Sequence, residues 1–269
     1  MTAIFDQVNH IYKASELGCA GWYPNVLHGG VVAGLVAHEC FSFPTSKKMR
    51  MVRFTLDIIR PVLKDQLKVK INVIRDSRNL QVLEAELHRL DKMVAKASML
   101  KVRDSEFSDL EEHHSSEKLD FPEIDDEFSE LFSFSQGMSF AKDAVDIRRV
   151  EGIPFIENGP GSVWIRPKIP LIHNSPLSPE LTAVIISDFG NAISSVLPVK
   201  DHVFINADLG VQFYRYPKSQ WIGLKSETLN TSDGVGLVHS KLYDLEGLIG
   251  IAHQGLVMDT RDRFFQRRT

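Results

Sequence analysis

The sequence has little cysteine, no dominant charge and no long apolar run, and each shortage closes off a class of protein. Two cysteines in 269 residues, Cys19 and Cys40, are too few for a disulfide framework, so buried thiols in a reducing compartment are expected. Acidic and basic residues nearly balance at a net charge of −4, which offers nothing to a nucleic acid. No apolar stretch approaches the ~18 residues that span a bilayer. The opening MTAIFDQVNH lacks the basic-then-apolar layout of a secretion signal. A soluble, cytoplasmic protein is expected, with no membrane and no nucleic acid among its partners. Its 43% apolar and 25% charged residues suit one large domain or two smaller ones with a full core.

What is present is a weak internal repeat. Residues 54–102 and 209–257 share their turn signals at an offset of 155: Asp76-Ser77-Arg78-Asn79 with Thr231-Ser232-Asp233-Gly234, and Leu90-Asp91-Lys92 with Leu245-Glu246-Gly247. The same offset pairs Arg60 with Arg215 and Ala97 with Ala252. Each half therefore reads as three consecutive strands joined by hairpin turns. One apolar helix lies upstream of each strand set, over residues 28–41 and 178–197. The second is apolar nearly all round and so is expected to be buried, with Ser178 and Pro179 at its start. Residues 103–141 between the halves are acidic, polar and aperiodic, and read as a linker. Its His113-His114 pair has no nearby partners for a metal, and none is expected.

The first helix begins with His28-Gly29-Gly30, although an internal glycine costs a helix roughly 1 kcal/mol relative to alanine. Two readings fit. Gly30, Ala33, Gly34 and Ala37 form a small-residue stripe suited to close packing. Alternatively, bare N–H groups at a helix start can be brought against an anion or oxyanion.

Three polar residues stand in apolar settings. Asp188 lies in the middle of the second helix, where a carboxylate costs stability unless it is paired. The blander reading is a partly exposed residue capped by Ser187 or Asn191. In VFINADLGVQF, strand alternation puts Val203, Ile205, Ala207, Leu209, Val211 and Phe213 on one face, and Asn206 with Asp208 on the other. Asp208 reads equally well as an edge charge. Gln254 lies between Ala252 and Leu256 on a strand face and needs hydrogen-bond partners, while His253 points the other way and reads as structural. At the repeat offset, Asp188, Asn206 and Gln254 become Ala33, Met51 and Met99, and Gly29 and Gly30 become Val184 and Ile185. One half keeps the glycine turn, the other the polar trio.

HGGVVAGLVA, DIIRPV, IISDFGNAI, ADLGVQFYRYP and AHQGLVM, in this order and spacing over nearly the whole chain, resemble the acyl-CoA thioesterase II family. The resemblance implies an α+β double hotdog: two antiparallel sheets, each wrapped around a central helix. Its halves would be an N-terminal hotdog over 1–102 and a C-terminal one over 142–269, joined by 103–141. It also implies an acyl-CoA substrate and a homo-oligomeric assembly. Asp188, Asn206 and Gln254 match the positions that handle the hydrolytic water, except that the family usually carries threonine where this chain has Asn206. His28, Gly29 and Gly30 would bind substrate, their N–H groups facing the thioester carbonyl. No cofactor is required.

Lys47, Lys48, Arg50 and Arg53 are candidates for the phosphates of coenzyme A, or simply a solvated basic cluster. Two rivals stay open. A hotdog hydratase needs a histidine shortly after its aspartate, but Ile193 and Phe213 stand five residues beyond Asp188 and Asp208. A non-catalytic acyl-binding module is the other. For Asp188→Asn, the cost of burying a carboxylate implies level or raised stability.

Overall fold

The computed structural model describes residues 2–105, 113, 115–123, 137–153, 157–198 and 201–266. Strands β1 (Phe5–Val8) and β2 (Ile11–Ala14) precede helix α1 (Gly29–Ser42), and β3 (Met49–Ile58), β4 (Gln66–Asp76), β5 (Leu80–Arg89) and β6 (Lys92–Arg103) complete the first half. The second half holds the short helix α2 (Phe140–Asp143), β7 (Val145–Glu151), β8 (Gly161–Pro167), α3 (Pro179–Ile186), a 3-10 turn (Ser187–Phe189) and α4 (Gly190–Ile193). It continues with β9 (His202–Asn206), β10 (Asp208–Phe213), β11 (Ile222–Asn230), β12 (Val235–Asp244), β13 (Gly247–Thr260) and α5 (Arg261–Gln266).

The repeat's turns fall where the sequence puts them. β4 closes on β5 over residues 77–79, and β11 on β12 over 231–234, where Gly234 takes a φ of +86°. A side chain at Gly234 would also meet the Met258 carbonyl oxygen at 2.7 Å. Each repeat window carries one strand more than predicted, because β3 and β10 are extended as well.

The expectation of two separate sheets is not met. Among the described residues the strands form one 13-stranded sheet in the order β1-β2-β4-β5-β6-β3-β10-β13-β12-β11-β8-β7, with β9 beside β13. β3 and β10 join the halves antiparallel, from Asp57 opposite Asp208 to Arg53 opposite Gln212. The physical reason is the edge each half would otherwise expose: unpaired N–H and C=O groups on one are satisfied by the other. Helix α1 packs on β3 to β6, whereas α3 and α4 pack on β8 and β11. The helices also press on each other, so one large apolar cluster runs through both halves, with a smaller one of Val238, Leu256 and Met258 apart from it.

α3 starts as predicted: the Ser178 hydroxyl accepts from Leu181 N–H at 3.4 Å and Pro179 takes the first turn. It is buried along its length, but tightens into the 3-10 turn at Asp188 and ends at Ile193, short of the predicted 197. Ser187 and Ser194 turn their hydroxyls back onto the Ala183 and Gly190 carbonyls at 2.6 and 2.9 Å, which competes with a regular helix. Cys19 and Cys40 are free and buried.

Much of the predicted linker lies outside the described residues, His114 included, while His113 is exposed. Its described stretch 115–123 runs along the second half: Trp164 Nε1 donates to the Asp120 carbonyl at 2.7 Å, and the Tyr243 hydroxyl to Glu117 at 2.6 Å. Among the described residues no helix is long and apolar enough to cross a membrane, and no three His, Cys, Asp or Glu cluster to hold a metal.

Candidate active site

Helix α1 starts at Gly29, with His28 as its cap in an extended conformation. Where α1 crosses the second helix, a β-carbon on Gly30 would lie 2.2 Å from the Ile185 carbonyl oxygen, and one on Gly34 2.5 Å from Ile185 Cγ1. The small stripe is thus a packing surface. Gly29 differs: a β-carbon there would lie 2.7 Å from both carboxylate oxygens of Asp188. Close packing of the helices and close approach to a carboxylate are met by neighbouring glycines of one turn.

Asp188 is 5% exposed and fully partnered, so the reading of a surface helix residue capped by Ser187 or Asn191 fails. Its Oδ2 accepts from Gly30 N–H at 2.7 Å, and its Oδ1 from Asn206 Nδ2 at 2.7 Å and Gln254 Nε2 at 3.3 Å. Gln254 Nε2 also reaches the Asp188 carbonyl oxygen at 3.0 Å. Three N–H donors facing a carboxylate at the start of a helix offset its loss of hydration. His28 Nδ1 lies 3.1 Å from both Gly30 N and Asp188 Oδ2, with its ring beside Phe189 and Phe140. All six predicted residues therefore meet, although they come from opposite halves.

Two expectations change. Gly30 N–H is held by Asp188 and does not face open space; of the glycine turn it is Gly29 that lines the cavity described below. Asn206 and Asp208 also do not act together. β9 and β10 are separate strands broken at Ala207, both pairing with β13. Asn206 turns to Asp188 while Asp208 Oδ1 accepts Gly255 N–H at 2.5 Å. That side-chain bond replaces a ladder bond and breaks the alternation. Ala252, Gln254 and Leu256 share one face as predicted, and that face is buried, while the His253 ring covers Gly210 on the other.

Above Asp188 opens a cavity of about 400 Å³ between the halves. Leu27, Val32 and Val62 line it from the first, Phe204, Ile205 and Ala207 from the second, and Asp188, Asn191, Asn206, His28 and Gly29 lie in its wall. Gln254 is buried behind the carboxylate and does not line it. Besides His28, its basic groups are Arg60, His202 and Arg261. Lys48 and Arg50 instead pair with Asp104 at 3.0 and 3.5 Å, far along β3 from the cavity-lining Ile58.

Two contributors have roles that the sequence reading missed, Asn191 having been weighed there only as a cap. Gly190 leaves room for Gln254, whose Oε1 would lie 2.7 Å from a β-carbon there. Asn191 donates from Nδ2 to Asn206 Oδ1 at 2.5 Å. The signal for Asn191 was its place three residues after Asp188, on one helix face.

Residues 19–102 match the N-terminal domain of acyl-CoA thioesterases, and residues 114–258, more than half the chain, match their C-terminal domain. The chain belongs to the acyl-CoA thioesterase family. Solved structures carry the same hotdog fold. A conserved hotdog protein of unknown function from Alicyclobacillus acidocaldarius superposes with a TM-score of 0.71 at 13% identity, covering 95% of each chain. An acyl-CoA thioesterase II from Mycobacterium marinum gives 0.66 at 14% identity, over 95% of this chain and 94% of that one. A tesB protein from Mycobacterium avium subspecies paratuberculosis gives 0.63 at 13%, over 95% of each. No curated protein matches the chain. Membership of this thioesterase family points to thioester hydrolysis as the class of chemistry.

Proposed function

We propose that the protein hydrolyses acyl-CoA thioesters with water activated by Asp188, residues 1–102 supplying the glycine turn and residues 142–269 the polar trio. One observation carries the reading: a buried carboxylate, held by three N–H donors from two halves, lies in the wall of an apolar cavity. The acyl chain occupies the cavity, and Arg60, His202 and Arg261 meet the phosphates of the carrier. Water attacks the thioester carbonyl as Asp188 takes its proton, and Asn206 and Gln254 orient the carboxylate. Gly29 N–H, which has no acceptor among the described residues, donates to the developing oxyanion. When the tetrahedral intermediate collapses, the C–S bond breaks and Asp188 returns the proton to the thiolate. General-base help of this kind contributes roughly 10²–10⁴ in rate, and one oxyanion donor about 3–4 kcal/mol.

A second reading has one observation in its favour. His28 and Asp188 form across the halves the histidine–carboxylate pair that spacing along the sequence had argued against, as enoyl-thioester hydration would need. A panel of acyl-CoA and enoyl-CoA esters of graded length separates the readings. Free thiol release supports hydrolysis. Loss of enoyl absorbance without thiol supports hydration, and neither signal overturns both.

A further inference from the structure

Asn206 meets the Asp188 carboxylate through a primary amide, and an amide brings a difficulty that a hydroxyl does not. A hydroxyl rotates freely to donate or accept, but a primary amide has a donating end and an accepting end. Only one of its two orientations suits a carboxylate neighbour. Asn206 is half-buried in the cavity wall, so water reaches the site and the wrong orientation is open to it. In that orientation Asn206 Oδ1 would take the place of Nδ2, 2.7 Å from the Asp188 carboxylate oxygen, and two acceptors would repel.

Asn191 engages the accepting end. It follows Asp188 by three residues across the 3-10 turn into α4, and both side chains project toward β9. Asn191 Nδ2 donates to Asn206 Oδ1 at 2.5 Å, while Asn206 Nδ2 donates to Asp188 Oδ1 at 2.7 Å and lies 3.5 Å from the Asp188 carbonyl oxygen. With Asn191 held as it stands, a flipped Asn206 would set donor against donor there, and in either case acceptor against acceptor at Asp188. Both ends of the amide are specified by groups on one helical segment, which move together.

We infer that Asn191 is a positioning residue that locks the Asn206 amide with its N–H₂ toward Asp188. The inference rests on the reading of Asp188 as the base. Asn191 acts through Asn206 and touches neither water nor thioester in this role.

The test is a double-mutant cycle on the full-length chain with a hydrolysed acyl-CoA as substrate. Asn191→Ala should lower kcat about tenfold, within the range by which hydrogen-bonded neighbours couple, and leave KM within about twofold. On the Asn206→Thr background the same change should cost less than about twofold, because a hydroxyl needs no lock. Equal losses on both backgrounds overturn the inference and leave the hydrolytic reading standing. Should Asn191→Ala not fold, Asn191→Ser makes the same comparison with a side chain too short to reach. If no thioester is turned over, the hydrolytic reading has failed separately, and the Asn206 side-chain amide protons decide by NMR. Slow exchange in the parent protein and fast exchange in Asn191→Ala support the lock, and equal rates overturn it.

Discussion

Replacing Asp188 by asparagine keeps the shape of the side chain and removes the base. Turnover should fall by roughly 10²-fold or more. The stability change can be worked from its partners. All of those at 3.3 Å or closer other than His28 are donors: Gly30 N–H on one oxygen, Asn206 and Gln254 on the other. An amide keeps one accepting oxygen, so its N–H₂ must oppose either Gly30 N–H or the two side-chain donors. The orientation facing Gly30 is the less costly, because His28 Nδ1 lies 3.1 Å from that oxygen and can accept. One hydrogen bond to a charged group is still lost, worth about 1.5–3 kcal/mol. At about 2–4 °C per kcal/mol for a chain of this size, the thermal midpoint should drop by roughly 3–12 °C. The expectation from sequence, level or raised stability, is reversed because the carboxylate is buried among donors. Thiol release and the midpoint are measured on the same preparation, well below the transition. A chemical check follows from the geometry: Asp188→Ala leaves three donors around a hole, and added formate should restore part of the rate. Normal turnover in folded Asp188→Asn, or no response to formate, refutes the assignment.

Gly29→Ala should cut turnover at least tenfold by pushing the carboxylate off Gly30 N–H, since its β-carbon would lie 2.7 Å from both oxygens; full activity would sink the role of this turn. Gly34→Ala meets side chains alone, Ile185 at 2.5 Å and Leu171 at 3.3 Å, and should cost about 1–3 kcal/mol of stability in a denaturant titration with unchanged turnover per folded molecule. Val32→Phe should narrow the cavity and shift preference toward shorter acyl chains; an unchanged chain-length profile would remove the cavity as the acyl site. Asp244 is buried, which alone would raise its carboxyl, but the Arg215 guanidinium at 2.6 and 2.7 Å and the Lys218 and Glu246 N–H groups hold it below the ordinary 3.8. Its contribution is therefore complete above that pH and lost as pH falls through the depressed value. Asp244→Asn should cost about 3 kcal/mol or more near neutrality and flatten the acid limb of the stability curve; a parallel curve would refute this.

Near-neighbour chemistry was legible in the sequence. Hairpins at residues 77–79 and 231–234, the Ser178-Pro179 helix start and the shared face of Ala252, Gln254 and Leu256 all rest on groups a few residues apart. So does the oddity of Asp188, a carboxylate with no local partner in an apolar helix. The repeat offset added that each half holds only part of the polar set.

The tertiary structure decided what no local pattern encodes. The pairing of β3 with β10, which turns two sheets into one, follows from two open edges meeting. The break at Ala207 depends on Asp208 reaching the Gly255 N–H of another strand, so alternation counted along the chain put Asn206 and Asp208 on one face. Gly30 and Asp188 are 158 residues apart, and the N–H that the sequence offered to a substrate is taken by a carboxylate because the two helices cross there. Helix and hairpin signals act over a few residues of chain, whereas these contacts exist only once the halves have docked and buried their polar groups against each other.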